Sequence, residues 1–569
     1  MRKFLSVILL TVVSLYINAN PVSFTQAKQK AEMLLRHEVY CTTKSSSKVH
    51  FNNNKTDSPT YYIFNASNGK GFAIVSGEDR LQPIVGYSEN HQFPDNGKLP
   101  EGLSDFLNAY AEMVEQIRNG AELPVQVSYN ANYAPSVAPM LVSQWGQGAP
   151  YNLLCPTDST GAHCPTGCVA TAISQIMYYW KWPEAGMGTG TATFNGSPIT
   201  GSLEHAYDWG SMLPHTADFM SQASQQAVSQ LMYDAGLAVN MTYTMEGSGA
   251  YSPMVAMYRN FSYVPTTLRT RHRECYSSDE WINFIKEELN NGRLIYHAAS
   301  SPTGGGDDAA GHAFVIDGYN ESNYLHVNWG WDGYFDGYYD MAQLNPGQYK
   351  FTDSQEILTG IQPARNGETG KPISYPYLQD SPSTTQTMVS RTGRNPYLPV
   401  TVSNLYNVTG EHQTWTLLIA AYNTYGNLVS CVNRMNQTID VDNNNGIGDN
   451  GANLSCAFPS TTFANGDYVL RIMVIDKETG DSILPETVGG LNKNALYINL
   501  SSSYITVTDS ANYLKAYEEY SGTTGIKHFK APVYNQGDVH TYSIDGRMLD
   551  DKQIPSGIYI RNGKKFVKK

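Results

Sequence analysis

The run Gly167-Cys168-Val169-Ala170-Thr171-Ala172-Ile173-Ser174-Gln175-Ile176-Met177 constrains this chain more than any other. Val169, Ala172, Ile173, Ile176, Met177 and Trp180 recur at helical spacing, which predicts a helix with one stripe buried in a core. Pro183 ends it, because proline has no N–H to donate and clashes with the preceding turn. Cys168 falls on the first turn, directly after Gly167. There the unpaired N–H groups and the helix dipole favour negative charge, so a thiol ionises more readily, and the thiolate is the nucleophilic form. Taken alone, such a cysteine is better explained by packing under a helix. What changes that reading is His312, 144 residues further on.

At 569 residues the chain is too long for one core, and two to four domains are expected. It is 41% apolar and 16% charged, with 40 Tyr and 49 Gly, a globular mix that leans towards β structure and loops. A net charge of −13 argues against a nucleic-acid partner, which needs a basic face. Met1-Arg2-Lys3 followed by the apolar run from Phe4 to Tyr16 reads as a secretory signal peptide, with cleavage expected after Ala19. No later stretch is apolar enough to cross a membrane. The seven cysteines are an odd number, which flags a free thiol in an exported protein. Cys155 with Cys164, and Cys431 with Cys456, are candidate pairs that the sequence does not decide. No cysteine or histidine spacing matches a zinc site, and neither a metal nor a cofactor is expected.

Five parts follow in order: a signal peptide (1–19), an α+β domain (20–130), a unit that holds the Cys168 helix (131–363), a β-sandwich (377–508) and a short C-terminal β-module (530–569). In the second, helices are expected over 26–36 and 103–117, and strands over 61–65 and 71–76 about an Asn68-Gly69 turn. Residues 122–138 read as an exposed linker. In the third, further helices are expected over 219–236 and 279–289. Ile295-Tyr296-His297 precedes a Gly-rich loop, 303–308. Gly311 to Tyr319 and Leu325 to Trp331 then form a hairpin that brings His312 near Asn328.

Hydrolysis of an amide by a thiol needs a thiolate, a histidine that stabilises it and protonates the leaving amine, a group that orients the histidine, and donors for the oxyanion. Cys168 and His312 fill the first two roles. Asn328 is read as holding the far ring nitrogen, and Trp329 as shielding that bond. The Gln147 side chain and the Cys168 N–H are read as the oxyanion donors, with Gln144 a rival for Gln147. Asp317 is set aside because an odd offset along one strand points it away from His312. His163, His297 and His326 receive no catalytic role. The order Gln, Cys, His, Asn and the Cys-to-His gap are those of papain-like proteases, where the gap is about 130–150 residues.

Four separated segments carry a more specific likeness: Gly148-Ala149-Pro150-Tyr151-Asn152-Leu153-Leu154, Gly167 to Ala172, Gly311 to Gly318, and His326-Val327-Asn328-Trp329-Gly330-Trp331. Together they resemble the streptopain family of bacterial cysteine proteases. The resemblance implies a papain-like fold, endopeptidase activity on protein or peptide substrates, and secretion as a zymogen. By position it implies Cys168 and His312 as the catalytic dyad, with Gln147, Asn328 and Trp329 around them. Gly167, Ser248 and Gly311 are expected to line the substrate cleft. Residues 21–130 resemble the propeptides of Bacteroidetes members, with Phe72-Ala73-Ile74-Val75-Ser76-Gly77 the clearest segment, and imply an intramolecular inhibitor. The C-terminal end resembles the sorting domains of a Bacteroidetes secretion route, which implies a secreted or surface-attached protein. Two other readings stay open on the residues alone. One is an adhesin or interaction protein whose β-sandwich is the working part. The other is a papain-like amide transferase.

Overall fold

Helix α1 (Phe24–Leu35) opens on a capping box: the Ser23 hydroxyl accepts from the Gln26 N–H, and the Gln26 side chain accepts from the Ser23 N–H at 2.9 Å. The computed structural model describes residues 21–42, 59–94, 99–124, 133–215, 220–250, 253–300, 311–341, 355–393, 396–435 and 437–515, and the backbone of four strands between 541 and 568. The expected signal peptide, the Gly-rich loop 303–308 and linker residues 125–132 lie outside the described residues. Ala27, Ala31 and Leu35 of α1 pack on a meander of β1 (Val39–Cys41), β2 (Tyr61–Ala66), β3 (Phe72–Ser76) and β4 (Ile84–Ser88). Gly69, at φ 77°, makes the β2–β3 turn that an L side chain would strain. Helix α2 (Glu101–Arg118) follows.

The next unit contains α3 (Cys168–Trp180), β5 (Thr189–Phe194), β6 (Ser197–Ser202), α4 (Gln222–Ala238), β7 (Thr242–Tyr243), α5 (Met254–Arg259), β8 (Arg269–His272), α6 (Ser278–Asn290), β9 (Ile295–Ser300), β10 (Gly311–Tyr319), β11 (Leu325–Asn328), β12 (Gly337–Tyr339) and β13 (Glu356–Thr359). The sheet does not stop at the expected boundary near residue 130. It runs β1-β2-β3-β4-β12-β11-β10-β9-β13-β8, ten strands in one surface. The seam is antiparallel, with Tyr338 opposite Tyr87 and Tyr339 opposite Gly86. A Cβ on Gly86 would lie 2.6 Å from the Tyr339 ring, so only glycine lets that ring close the seam.

Strand alternation gives the sheet two faces with separate cores. Ala313 and Val315 of β10 lie in the core that holds α3 and α4. Phe314 and Ile316 lie in the other, with Phe106, Tyr110 and Val114 of α2 and with Trp281 of α6. The second core is therefore shared between the leading unit and the unit that follows.

Residues 376–507 form two β-layers about one core. Leu398, Val400, Val402, Leu454 and Cys456 from one side meet Trp415, Leu417, Ile419 and Ile472 from the other. The long strands Gln413–Asn423 and Gly466–Asp476 pair along nine residues. The backbone of the last strands forms a four-stranded sheet: Thr541–Ser543, Met548–Leu549, Gly557–Arg561 and Lys564–Lys568.

The sandwich is anchored to the preceding unit by a buried carboxylate. Glu486 accepts from His272 Nδ1 at 3.1 Å. Nearby, Arg269 Nε donates to the Tyr375 hydroxyl at 2.6 Å and the Tyr377 hydroxyl donates to Glu274 at 2.8 Å. Burial raises the cost of a charged Glu486, but His272 and Arg269 outweigh it and hold the carboxyl below its usual range. Glu486→Ala leaves the half-buried His272 without its hydrogen-bonded carboxylate and is expected to cost on the order of 3 kcal/mol. Thermal unfolding checks this: a melting temperature within a degree of the parent removes the anchor from the account.

Candidate active site

The start of α3 is built from glycine. Gly167 sits at φ 86°, and a Cβ there would lie 2.7 Å from Met241 Sδ and 2.9 Å from the Ser248 carbonyl oxygen. Gly167 offers no side-chain cap, so the positive end of the α3 dipole faces Cys168 without a competing side-chain oxygen from the N-cap. The first turn is held instead by Thr171, whose hydroxyl donates to the Gly167 carbonyl at 3.0 Å. Cys168 is half-buried. The seven cysteines form no disulfide, so neither candidate pair is joined. Cys155 and Cys164 are buried, and burial pushes both thiols up, Cys155 to about 12.

His312 lies on β10 at the same parity as Phe314, and so on the α2 face. Its ring runs nearly parallel to those of Phe314 and Trp329, each 6.4 Å away. Helix α2 closes over it: a Cβ on Gly102 would lie 2.9 Å from His312 Cδ2 and 3.1 Å from Trp329 Cζ3. Among the described residues, the ring's hydrogen bond joins Nε2 to the Trp329 carbonyl oxygen at 3.0 Å. A carbonyl only accepts, so Nε2 carries the proton and Nδ1 the lone pair of the neutral ring. Burial pushes the imidazole down to about 4. Cys168 packs on the opposite core.

Asn328 does not meet the imidazole in this structure. The register puts it opposite Val315, not His312, with a bulge between Ile316 and Gly318. Paired residues share a face, so Asn328 points towards α3 and away from the imidazole. Its Oδ1 accepts from Gln175 Nε2 at 2.9 Å and from the Gly330 N–H at 3.0 Å, and its Nδ2 donates to the Ser143 carbonyl at 2.9 Å. The group that meets the far ring nitrogen is the main-chain carbonyl of Trp329. That residue's own N–H donates to Asp336 Oδ1 at 2.9 Å. Its indole is fully buried beside the histidine, as a shield would be.

Gln147 is half-buried, and its carbonyl accepts from the Thr166 N–H at 3.0 Å, which ties it two residues before Cys168. Gln144 is engaged elsewhere, with Nε2 3.3 Å from His91 Nε2 of the leading unit. Ser248 stands against Gly167 and donates its hydroxyl to the Pro165 carbonyl at 2.8 Å. Gly311 is exposed at the start of β10, beside His312. Asp317 accepts from the Leu141 N–H and pairs with His326 at 2.6 Å. His297 is stacked on Phe314 and His163 binds the Cys155 carbonyl, so neither joins the group. Gln175, which carried no role in the sequence reading, proves to be the link between α3 and Asn328. Its signal was its place seven residues after Cys168 on the same side of the helix. Among the described residues no cluster of three His, Cys, Asp or Glu is arranged to hold a metal, and no helix is long and apolar enough to cross a membrane.

Comparisons with known proteins bear on this arrangement. The profile of the peptidase C10 family matches residues 145–339, and that of the Spi protease inhibitor matches residues 19–114. The thiol protease/hemagglutinin PrtT of Porphyromonas gingivalis is 31% identical over 402 residues, which cover 65% of this chain and 45% of that one. The chain thus spans less than half the length of this relative. Streptopain of Streptococcus pyogenes is 34% identical over 333 residues, which cover 53% of this chain and 80% of that one. A solved fragment of prointerpain A from Prevotella intermedia is 32% identical, with 56% of this chain and 99% of that chain covered, at a TM-score of 0.48. The chain belongs to the peptidase C10 family of cysteine proteases, carried behind a Spi-type inhibitor domain.

Proposed function

We propose that this protein is a secreted cysteine endopeptidase made as a latent precursor, with Cys168 the nucleophile and His312 the acid and base. The propeptide covers about residues 20–130 and the catalytic unit 131–363. In the released enzyme the His312 ring turns about its Nε2 bond to the Trp329 carbonyl and presents Nδ1 to the Cys168 sulfur. The thiol proton passes to that nitrogen. The thiolate attacks the peptide carbonyl, and the oxyanion accepts from the Cys168 N–H and the Gln147 side-chain amide. The imidazolium then protonates the leaving amine, and water frees the acyl group from sulfur. Gly167, Ser248 and Gly311 flank the path of an extended peptide.

The observation that carries this reading is the His312 ring, pressed by Gly102 of α2 onto the face of the sheet away from Cys168. The test is to incubate the precursor with reductant, with and without a cysteine-directed inhibitor, and to sequence the N-terminus of any product. A new N-terminus between residues 122 and 138, only without inhibitor, is the expected result. Processing that ignores the inhibitor excludes self-cleavage at this site.

The burial of His312 sets a pH dependence. Its value in the covered state, about 4, is below the ordinary 6.5. Between those values the uncovered form binds a proton that the covered form refuses, so cover is most stable near neutrality and weakens as pH falls from about 6.5 towards 4. His91, pushed down by burial at the same seam, has the same sign. Asp336, pushed up by burial to about 7, has the opposite sign. Asp332 and His326, both raised and both acting on Asp336, respond to pH here as well, so the His312 share is read by difference: amide exchange in α2 of the Cys168→Ala precursor is expected to speed up more between pH 6.5 and 4.5 than in the same precursor carrying His312→Phe, after correction for intrinsic rates. An equal pH response in the two rejects the linkage.

A further inference from the structure

We propose that Gln175 is a positioning residue for hydrolysis, acting on His312 through Asn328 and one peptide group. The inference rests on the Cys168–His312 reading above. Gln175 sits in the third turn of α3 with no exposed surface. It interrupts a run of buried residues in which an apolar side chain would pack at lower cost, since a buried amide is tolerated only when its hydrogen bonds are made. These bonds are made, and they lead to the site. Its Oε1 accepts from the Ser143 hydroxyl at 2.9 Å and from the Trp145 N–H at 3.2 Å. Its Nε2 donates to Asn328 Oδ1 at 2.9 Å. The same oxygen accepts from the Gly330 N–H at 3.0 Å.

That N–H and the Trp329 carbonyl belong to one peptide group, and the carbonyl accepts from His312 Nε2 at 3.0 Å. An amide that donates through its N–H is a better acceptor at its oxygen, so the chain of bonds strengthens the last one as well as fixing its direction. Asn328 closes the ring by donating to the Ser143 carbonyl. One side chain thus ties the Cys168 helix to the group that orients the imidazole, and to the extended segment that leads into Gln147. Asp336 holds the other side of Trp329, through its N–H.

Gln175→Met keeps the length of the side chain and removes both ends of the link. Matured with a trace of parent enzyme if needed, it is expected to lose roughly ten- to a hundredfold in kcat, the cost of a misplacement of about 1 Å, with KM changed less than about threefold. The pH profile of Cys168 alkylation is expected to shift as well, because the thiolate leans on a well-placed imidazolium. Gln175→Glu keeps the acceptor for Ser143 and Trp145 but sets oxygen against oxygen at Asn328, and is expected not to restore the rate. Should neither variant fold, Ser143→Ala removes one of the two donors to the Gln175 oxygen, and a several-fold fall in kcat with the same profile shift is expected. Parental kcat and alkylation profile in whichever variant folds overturn the inference, even if the melting temperature drops. Activity retained in Cys168→Ala would instead overturn the reading on which it rests.

Discussion

A precursor carrying Cys168→Ala is expected to hydrolyse no peptide bond and to stay at full length under reductant. The expected loss is on the order of 10⁶-fold, the scale on which removal of a covalent nucleophile acts. The fold should survive the change. Cys168 is half-buried, and alanine removes one sulfur from the first turn of a helix whose hold on that turn comes from Thr171 and Gly167. A melting temperature near that of the parent would separate lost chemistry from lost structure. The two thiols in the same core cannot stand in. Burial holds Cys155 at about 12 and raises Cys164, so neither supplies thiolate at neutral pH. His312→Ala should fall by a comparable factor while leaving Cys168 open to alkylation, though more slowly at neutral pH. Residual hydrolysis above about 1% in Cys168→Ala would show that the nucleophile has been misassigned.

The helix around Cys168 was legible because its apolar spacing, glycine start and proline stop all point one way. So were the two strands after the Gly-rich loop. What the sequence could not give was register. A bulge inside Ile316–Gly318 and the turn at 320–324 set Asn328 opposite Val315, and one step along a strand changes the face. The parity argument applied to Asp317 applies equally to Asn328 once its partner, Val315, is known. Trp329 then does with its main chain what Asn328 was expected to do with its side chain, and a main-chain role leaves no mark on residue type. The continuity of the sheet was hidden for a similar reason. It depends on Gly86 facing Tyr339 across 253 residues of chain, a contact that no local pattern encodes. Strands of two or three residues such as Leu405–Asn407 and Ser482–Ile483 are too short for alternation to be read.

Gly102→Leu is expected to weaken latency by roughly ten- to a hundredfold, read as hydrolysis by precursor that is still uncut. Two effects oppose each other at this position. Gly102 lies in the first turn of α2, and replacing glycine in a helix gains up to about 1 kcal/mol of propensity, which favours the inhibiting helix. Against that, the new Cβ alone falls 2.9 Å from His312 Cδ2, 3.2 Å from its Cβ and 3.1 Å from the Trp329 ring. Those neighbours cannot give way: Trp329 is fully buried and His312 is pinned by its bond to the Trp329 carbonyl. Overpacking of this kind costs about 1–3 kcal/mol for a small excess, and leucine adds three carbons beyond the Cβ. The clash therefore exceeds the propensity gain, and the relief available is for α2 to lift from the imidazole, which is the motion that activation requires. Glu112→Leu, on the exposed side of the same helix, supplies the comparison: it introduces the same leucine and removes a charge without touching His312. Equal latency in the two variants would place the inhibitory contact somewhere other than the first turn of α2. Gly102→Ala should fall between them, since its single methyl sets the smallest clash against the same gain in propensity.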